Sequence, residues 1–398
     1  MRYKIVLFQP YLRKHILNFG NYLKKFEYII RKPTSGNFYK TQLPPSFEQE
    51  VRRIKTSRIN KIRRLLGLLN FRIKFDQEAD MFFTFGCLLL TNKPYCVYIE
   101  NGIALYNYDI KIAAHPIARL LFSLLIRQNN CKRLIFMNQT SQTSFLSTVP
   151  YRKKTLAIIK NKSAVVYPLI EKKSVAPKKF TGKLKLLFVG MFYIKGGTEL
   201  TQAYAQLRKT YTNIELTIVT PLQTIKTTDY QNMKQIPGLT LIDAALGEKE
   251  MNTLYREHDI FLLPTYRDSA PLVLIEAVSW GMPIICTDQY SIPEIAEDNH
   301  NAFVYHNHPL KDYDPTTYRP LGKYHNPRDF YYELFRLQKA GELEPIKNFI
   351  FNSIERFLKE PFLLEKFSLG SLELYNRKLH QNRIASQIES VFLETIKQ

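Results

Sequence analysis

Leu262–Asp288 reads LLPTYRDSAPLVLIEAVSWGMPIICTD. The apolar run closing at Pro264 predicts a short buried strand that ends in a turn. Asp268 and Ser269 are expected to cap the element that follows, and Pro271 falls where a first helical turn tolerates proline. Leu272–Trp280 reads as a helix, stopped by Gly281 and Pro283, and Ile284–Thr287 as the next buried strand. Strand, loop, helix and strand in this order form the unit of an α/β sheet.

Two acids carry the chemistry of the stretch. Asp268 stands at the mouth of the first strand, and Glu276 lies in the helix within LIEAV, among residues expected to be buried. A carboxylate among core positions needs a partner, because an unpaired buried charge is expensive. Two partners fit the spacing. Glu276 pairs with a Lys or Arg while Asp268 is only a helix cap, or Glu276 holds a ligand's hydroxyl pair beside a helix N-terminus at Ser269, Ala270, Pro271 and Leu272, which suits a phosphate.

Working outward toward the N-terminus, Lys185–Val189 is a buried strand that runs into Gly190-Met191-Phe192-Tyr193-Ile194-Lys195-Gly196-Gly197, with a helix expected to begin near Thr198. A strand, a glycine-containing loop and a helix make a phosphate-binding geometry, although the glycine spacing is neither the dinucleotide fingerprint nor the P-loop. Lys195 is either a diphosphate contact or a solvated surface lysine. Strands at Ile214–Val219, Leu239–Leu241 and Asp259–Leu262, with a helix at Met251–Glu257, continue a Rossmann-like order. A nucleotide base would lie near Thr220–Leu222 and Ala244–Leu246, where no side chain selects one base.

These motifs together resemble the donor-site signature of GT4, a large family of retaining glycosyltransferases with the GT-B fold. The family carries an acid, seven residues, a Glu-Ala pair and a Gly-Pro turn; here they stand as Asp268, Glu276-Ala277 and Gly281-Met282-Pro283, with Pro293-Glu294 in place of a later Pro-Glu pair. Lys195-Gly196 matches the family's Lys-Gly at the helix start. The resemblance implies that Glu276 holds ribose hydroxyls, that Asp268 orients the donor sugar, and that Lys195 and the amides near Ser269–Leu272 bear the diphosphate charge growing on the leaving group. Gly190 holds the family's glycine after the strand, but Met191 replaces the usual arginine, and Arg267 is the substitute candidate. Where relatives place a sugar-contacting histidine this chain has Glu100, either a sugar contact or a capping acid. His115 is a displaced alternative.

The chain has 398 residues, more than one hydrophobic core usually serves. Cys87, Cys96, Cys131 and Cys286 are scattered with no metal spacing, so a reduced, cytoplasmic chain is expected. No signal peptide and no run long enough to cross a bilayer is evident. Strands are expected at Ile5–Gln9, Asp80–Phe85, Cys96–Ile99, Leu134–Asn138 and Asn161–Pro168, with a helix at Ile117–Arg127. The first strand runs into Pro10-Tyr11-Leu12, without the Gly-rich turn of many relatives.

Charge is the other global signal. The net charge is +22, and residues 1–80 hold 18 basic and 6 acidic side chains. Val51–Lys74 has nine basic residues and no acid, with Val51, Ile54, Ile62, Leu65, Leu66, Leu69 and Ile73 at helical spacing. Such a helix either lies on an anionic bilayer, packs on the core with a solvated basic face, or meets nucleic acid. No helix-turn-helix signature, zinc-finger spacing or aromatic RNA-binding strand pair supports the last.

After Val304, residues 306–328 show no regular period and read as an extended insertion or surface loop. Its His306, His308 and His325 lack metal-ligand spacing. Phe330–Leu337, Glu344–Leu358 and Ser371–Thr395 are helical by pattern. The expected organisation is therefore a first Rossmann-like, acceptor-binding domain over residues 1–170, a basic linker over 171–183, a nucleotide-sugar domain over 184–375, and a terminal helix over 376–398 that docks on the first domain through Ile384, Ile388, Val391 and Phe392. By resemblance, the two domains face each other across a cleft, and a sugar passes from a nucleotide diphosphate donor, UDP- or GDP-linked, to an envelope polysaccharide or lipid-linked acceptor. The transfer retains configuration and needs no metal or other cofactor. Met191, Glu100 and Pro271 keep a non-catalytic scaffold of the same fold as the alternative.

Overall fold

Residues 2–8, 14–30, 69–324 and 327–397 are described in a computed structural model of the chain. Most of Val51–Lys74, together with Pro10-Tyr11-Leu12 and His325, lies outside them. The apolar runs form two parallel sheets. In the first half these are β1 (Tyr3–Phe8), β2 (Phe26–Ile30), β3 (Phe71–Ile73), β4 (Met81–Phe85), β5 (Leu88–Leu90), β6 (Tyr95–Ile99), β7 (Cys131–Phe136) and β8 (Ser163–Val165). Six of them line up as β2-β1-β4-β6-β7-β8, and β3 pairs separately with β5. The strands β4 and β6 are buried along their whole length, as expected where helices cover both faces.

The helices of this half are α1 (Lys14–Tyr22), α2 (Ile110–Ala114), α3 (Pro116–Arg127), α4 (Gln139–Thr148) and α5 (Lys153–Lys162). The expected strand over 161–168 is a correction. α5 runs through Lys162, which takes the first residues of that stretch into the helix, and only Ser163–Val165 pairs with the sheet, the Val166 amide closing on the Phe136 carbonyl at 2.9 Å.

The second sheet comprises β9 (Leu184–Val189), β10 (Ile214–Thr220), β11 (Leu239–Asp243), β12 (Ile260–Leu263), β13 (Ile284–Thr287) and β14 (Ala302–Tyr305), in the order β11-β10-β9-β12-β13-β14. Its helices are α6 (Gly197–Leu207), α7 (Thr227–Lys234), α8 (Glu248–Glu257), α9 (Leu272–Ser279), α10 (Pro327–Lys339), α11 (Glu344–Lys359) and α12 (Phe362–Leu374). The order reverses direction between β9 and β12, and in sheets of this kind ligands bind outside the strand ends at such a switch point. The loops leaving those two strands carry Gly190–Gly196 and Pro264–Pro271.

Three further stretches take a definite path in the folded chain. Residues 171–183 are irregular but held down: the Lys173 and Ser174 amides both donate to the Ser279 carbonyl at 3.1 Å, and the Lys178 amide to Ser368 Oγ at 2.7 Å. Ser371–Thr395 is not one helix. α12 widens into a π turn at Tyr375–Leu379, and α13 (Gln381–Lys397) starts afresh beyond His380. The break redirects the chain: Tyr375 OH donates to the Ile170 carbonyl at 2.6 Å, and α13 crosses to the first sheet. There Ile384, Ile388 and Phe392 are wholly buried with Ile5, Leu7 and Phe83, and the Phe392 and Phe83 rings meet edge-on at 5.0 Å.

Residues 306–324 contain no helix or strand beyond a single Tyr313–Pro320 bridge, yet they are not a free surface loop. Ser144 Oγ donates to the Tyr318 carbonyl and Ser147 Oγ to the Thr317 carbonyl, both at 2.7 Å, so the excursion is tied to α4 of the first half. Its polar, proline-bearing sequence satisfies its backbone through such side-chain bonds rather than a ladder.

Candidate functional site

Two loops at the switch point of the second sheet meet over glycine. Gly196 adopts φ +78°, and a Cβ there would stand 2.2 Å from the Pro264 carbonyl oxygen, so only glycine lets the loop after β9 close against the loop after β12. Gly190, at φ +150°, lies under the Lys195 side chain, where a Cβ would fall 2.9 Å from Lys195 Cγ. The two loops are stitched by Tyr266 N donating to the Ile194 carbonyl at 2.9 Å.

Within this cradle Lys195 reaches across to the second loop. Its ammonium donates to the Arg267 carbonyl at 3.0 Å and forms an ion pair with the Asp268 carboxylate. Both side chains are largely shielded, at 17% and 14% exposure, so the pair is little screened by solvent. The folding therefore joins two residues 73 positions apart, an interaction that spacing does not reveal.

Asp268 and Ser269 do not cap α9, which corrects the sequence expectation. Asp268 Oδ1 accepts from the Ala270 amide at 3.2 Å, a local turn, and the residue preceding the helix is Pro271, which has no side chain able to cap. The Ser269 carbonyl accepts from Ser291 Oγ at 2.8 Å. Ala270 and Leu272 pack against the cluster of Val166, Leu169 and the first sheet, so the start of α9 sits at the boundary between the halves.

Arg267 is exposed, and its guanidinium lies 5.5 Å from the centre of the Phe330 ring, a cation–π contact with α10.

One turn into α9, Glu276 is half-buried and accepts from Tyr255 OH at 2.9 Å. Burial first, then the Glu276 charge, pushes the Tyr255 hydroxyl well above its usual pKa, so it stays a donor. Glu276 also faces a cavity of about 320 Å³ that includes Asn18 of α1, Leu246 and Gly247 from the loop after β11, and Trp280. Of the Ala244–Leu246 segment, Leu246 thus shares a hollow with Glu276.

The first half contributes Glu100, buried at 7% exposure just after β6. Its carboxylate accepts from Tyr108 OH at 2.7 Å, and its carbonyl accepts from Ser141 Oγ at 2.6 Å. His115, the alternative, is the residue between α2 and α3, and its backbone amide closes α2 on the Ile112 carbonyl.

The Pro293-Glu294 pair acquires a role that its spacing hid. Glu294, from the second half, accepts from the Gln139 and Thr140 amides at 3.1 and 2.7 Å, at the open N-terminus of α4 in the first half. Tyr167 OH donates to the same carboxylate, and Lys378 stands 3.8 Å away. A carboxylate satisfies the free amides and the positive end of the helix at once. Asn138 takes the Ser141 amide at 2.7 Å, completing the cap.

The histidines of the excursion are engaged separately. His308 Nε2 bonds Gln289 Oε1 at 2.6 Å, and burial lowers its pKa to about 4; His306 lies 3.5 Å from Asp288, which Lys311 also meets at 2.8 Å. Among the described residues no group of three His, Cys, Asp or Glu side chains is placed to hold a metal, and no helix is long and apolar enough to cross a membrane. The four cysteines are free and buried.

Residues 183–313 match the family model described as glycosyl transferases group 1. The chain is related to the group 1 glycosyltransferases. The match takes in the glycine loop, the Asp268 loop, α9 and Glu294, and stops short of the first half. Among curated proteins, D-inositol 3-phosphate glycosyltransferase of Arthrobacter is 26% identical over 157 residues, which cover 36% of this chain and 37% of that protein; the chain thus spans well under half the length of the relative it matches. Among solved structures, Anabaena HepE in complex with UDP aligns over 99% of this chain and 100% of its own at a TM-score of 0.58 and 12% identity. WaaG, a glycosyltransferase involved in lipopolysaccharide biosynthesis, aligns over 98% of both chains at 0.56 and 12%. At such identities these likenesses establish the GT-B fold: two Rossmann-like sheets with a terminal helix bending back to the first.

Proposed function

We propose that the chain is a glycosyltransferase that uses a nucleotide diphosphate sugar and passes the sugar to an envelope polysaccharide or lipid-linked acceptor. The observation that carries this reading is the convergence at the switch point. Lys195 from one loop and Asp268 from the next meet there, with Glu276 one turn further along α9 facing a nucleoside-sized cavity.

The chemistry follows from the side chains. Glu276, held by Tyr255, accepts from the ribose hydroxyls. Lys195 exchanges part of its bond with Asp268 for the diphosphate oxygens, which releases Asp268 to accept from a hydroxyl of the donor sugar. The Lys195 ammonium and the amides of Ser269 and Leu272, Pro271 having no N–H, then stabilise the charge that grows on the leaving diphosphate. Glu100, from the opposite half, faces the transferred sugar. Retention of configuration follows the acid-and-glutamate pattern, and the diphosphate charge is met by the protein without a metal. The acceptor is brought by the first half, at an anionic membrane surface on the cytoplasmic side.

UDP is the first nucleotide to test, since it is the one bound in the Anabaena relative of the same fold. Calorimetric titration with UDP-, GDP- and CDP-sugars is expected to give a dissociation constant below about 1 mM for one of them. Glu276→Gln should weaken it by about tenfold or more, since a neutral amide loses the charge-assisted bonds to ribose. Absence of binding by all three to folded protein would leave a non-catalytic scaffold.

A further inference from the structure

From Ile110 to Ile170 the chain carries ten Lys and Arg residues and no Asp or Glu. α3 lies within this stretch. It buries Ala118, Phe122, Leu125 and Ile126 against the first half's core. It also presents a second apolar stripe: Ile117, Leu120 and Leu124, one helical face, are 58%, 60% and 53% exposed. A core-packing helix gains nothing in water from that stripe, and a cluster of this kind marks a contact surface.

Next to the stripe a hollow of about 200 Å³ opens between α3 and the first turn of α5. Arg119, Arg127 and Arg152 line it with the hydroxyl residues Ser123 and Thr155. Among the described residues no carboxylate pairs with these three arginines. Lys153 and Lys154 extend the basic rim and are exposed.

We propose that this face docks on an anionic lipid leaflet, with Ile117, Leu120 and Leu124 entering the interfacial layer and the arginine-lined hollow receiving lipid phosphates. Aliphatic side chains ringed by unpaired cations complement a surface that is apolar beneath and negative above. Nucleic acid offers the charge but nowhere to bury three aliphatic side chains. A second copy of the chain would set two acid-free basic rims against each other. The docking element is thus α3 with the start of α5, distinct from Val51–Lys74. The inference deepens the membrane part of the proposed function and rests on that reading for the acceptor alone.

The test is co-sedimentation of the full chain with vesicles of equimolar phosphatidylcholine and phosphatidylglycerol, against pure phosphatidylcholine. Wild type should prefer the anionic vesicles. Arg119→Gln/Arg127→Gln/Arg152→Gln should lower that binding about tenfold or more and flatten its salt dependence. Ile117→Ser/Leu120→Ser/Leu124→Ser should remove the attachment that persists at high salt. All six positions avoid the core, and circular dichroism verifies the fold of each variant. Binding unchanged in either variant, no anionic preference in wild type, or tighter binding to duplex DNA than to vesicles overturns the proposal. So does a dimer that the serine variant dissociates while vesicle binding persists, or loss of vesicle binding only on replacing Arg52, Arg53, Arg63 and Arg64. Donor titration on the same samples separates the two readings: failure there removes the transferase and leaves the vesicle result standing.

Discussion

The second sheet places its candidate residues on two adjacent loops and the helix that follows the second, framed by a strand end, a glycine that admits close approach and a helix start. Among the described residues the first half offers one buried acid, Glu100, and otherwise meets its partner half through surfaces, at the open end of α4 and beneath α13. The family match follows this division, covering residues 183–313 and none of the first half. Binding a common ligand imposes the same local turns on any chain that does it, whereas a surface that meets a variable partner needs only shape and charge, which many sequences supply.

The contrast can be broken hardest at α13, where the halves share a core. Phe392→Ala empties a site filled by Phe83 and Phe26 rings at 5.0 and 5.8 Å. It should destabilise the fold by ~3–5 kcal/mol in urea unfolding and separate the unfolding of the two halves. Gly196→Ala tests the local cradle. The Cβ contact with Pro264 and the positive φ should cost ~3 kcal/mol and abolish nucleotide binding, while β1–β8 keep their hydrogen-exchange protection. Retained protection throughout the second sheet together with intact binding would show that the loops do not depend on their close approach.

Glu294→Ala probes the tie between halves. Two helix amides and the Tyr167 hydroxyl lose their acceptor, for ~2–3 kcal/mol, and small-angle scattering should report a wider separation of the halves. The smallest effect is on pH. His308 has its pKa lowered by burial to about 4, so the unfolded chain, with an ordinary value near 6.5, binds a proton that the folded chain refuses between those limits. The stability is present above about pH 6.5 and lost as pH falls toward about 4. Wild type should therefore lose ~1–2 kcal/mol between about pH 7 and about pH 5 that His308→Asn does not lose, read from urea midpoints at each pH. His258, likewise buried and shifted down, contributes in the same direction in both proteins.

Much of this arrangement was legible in the linear chain. The strand over Ile284–Thr287 falls where hydropathy puts it, and the glycine loop, the acid pair and the buried stripe of Ile384, Ile388 and Phe392 were all readable. The Ser371–Thr395 region misled because hydrophobic period continues across a π turn, and period does not register a change of direction. The 306–324 excursion is aperiodic in the sequence and irregular in the fold, but absence of period says nothing about its anchoring to α4.

By itself the sequence determined two Rossmann-like sheets, the loops that bear the candidate residues, and a strongly basic first half with an acid-free stretch from Ile110 to Ile170, because strand burial, glycine conformations and formal charge are properties of short segments. Only the tertiary structure decided that Lys195 pairs with Asp268, that Arg267 turns to Phe330, that Glu294 caps a helix of the other half, and that Ile117, Leu120 and Leu124 remain uncovered beside three arginines. Each of these depends on which surfaces meet after the chain has folded, and contacts between residues far apart in sequence leave no mark in the local pattern of either partner.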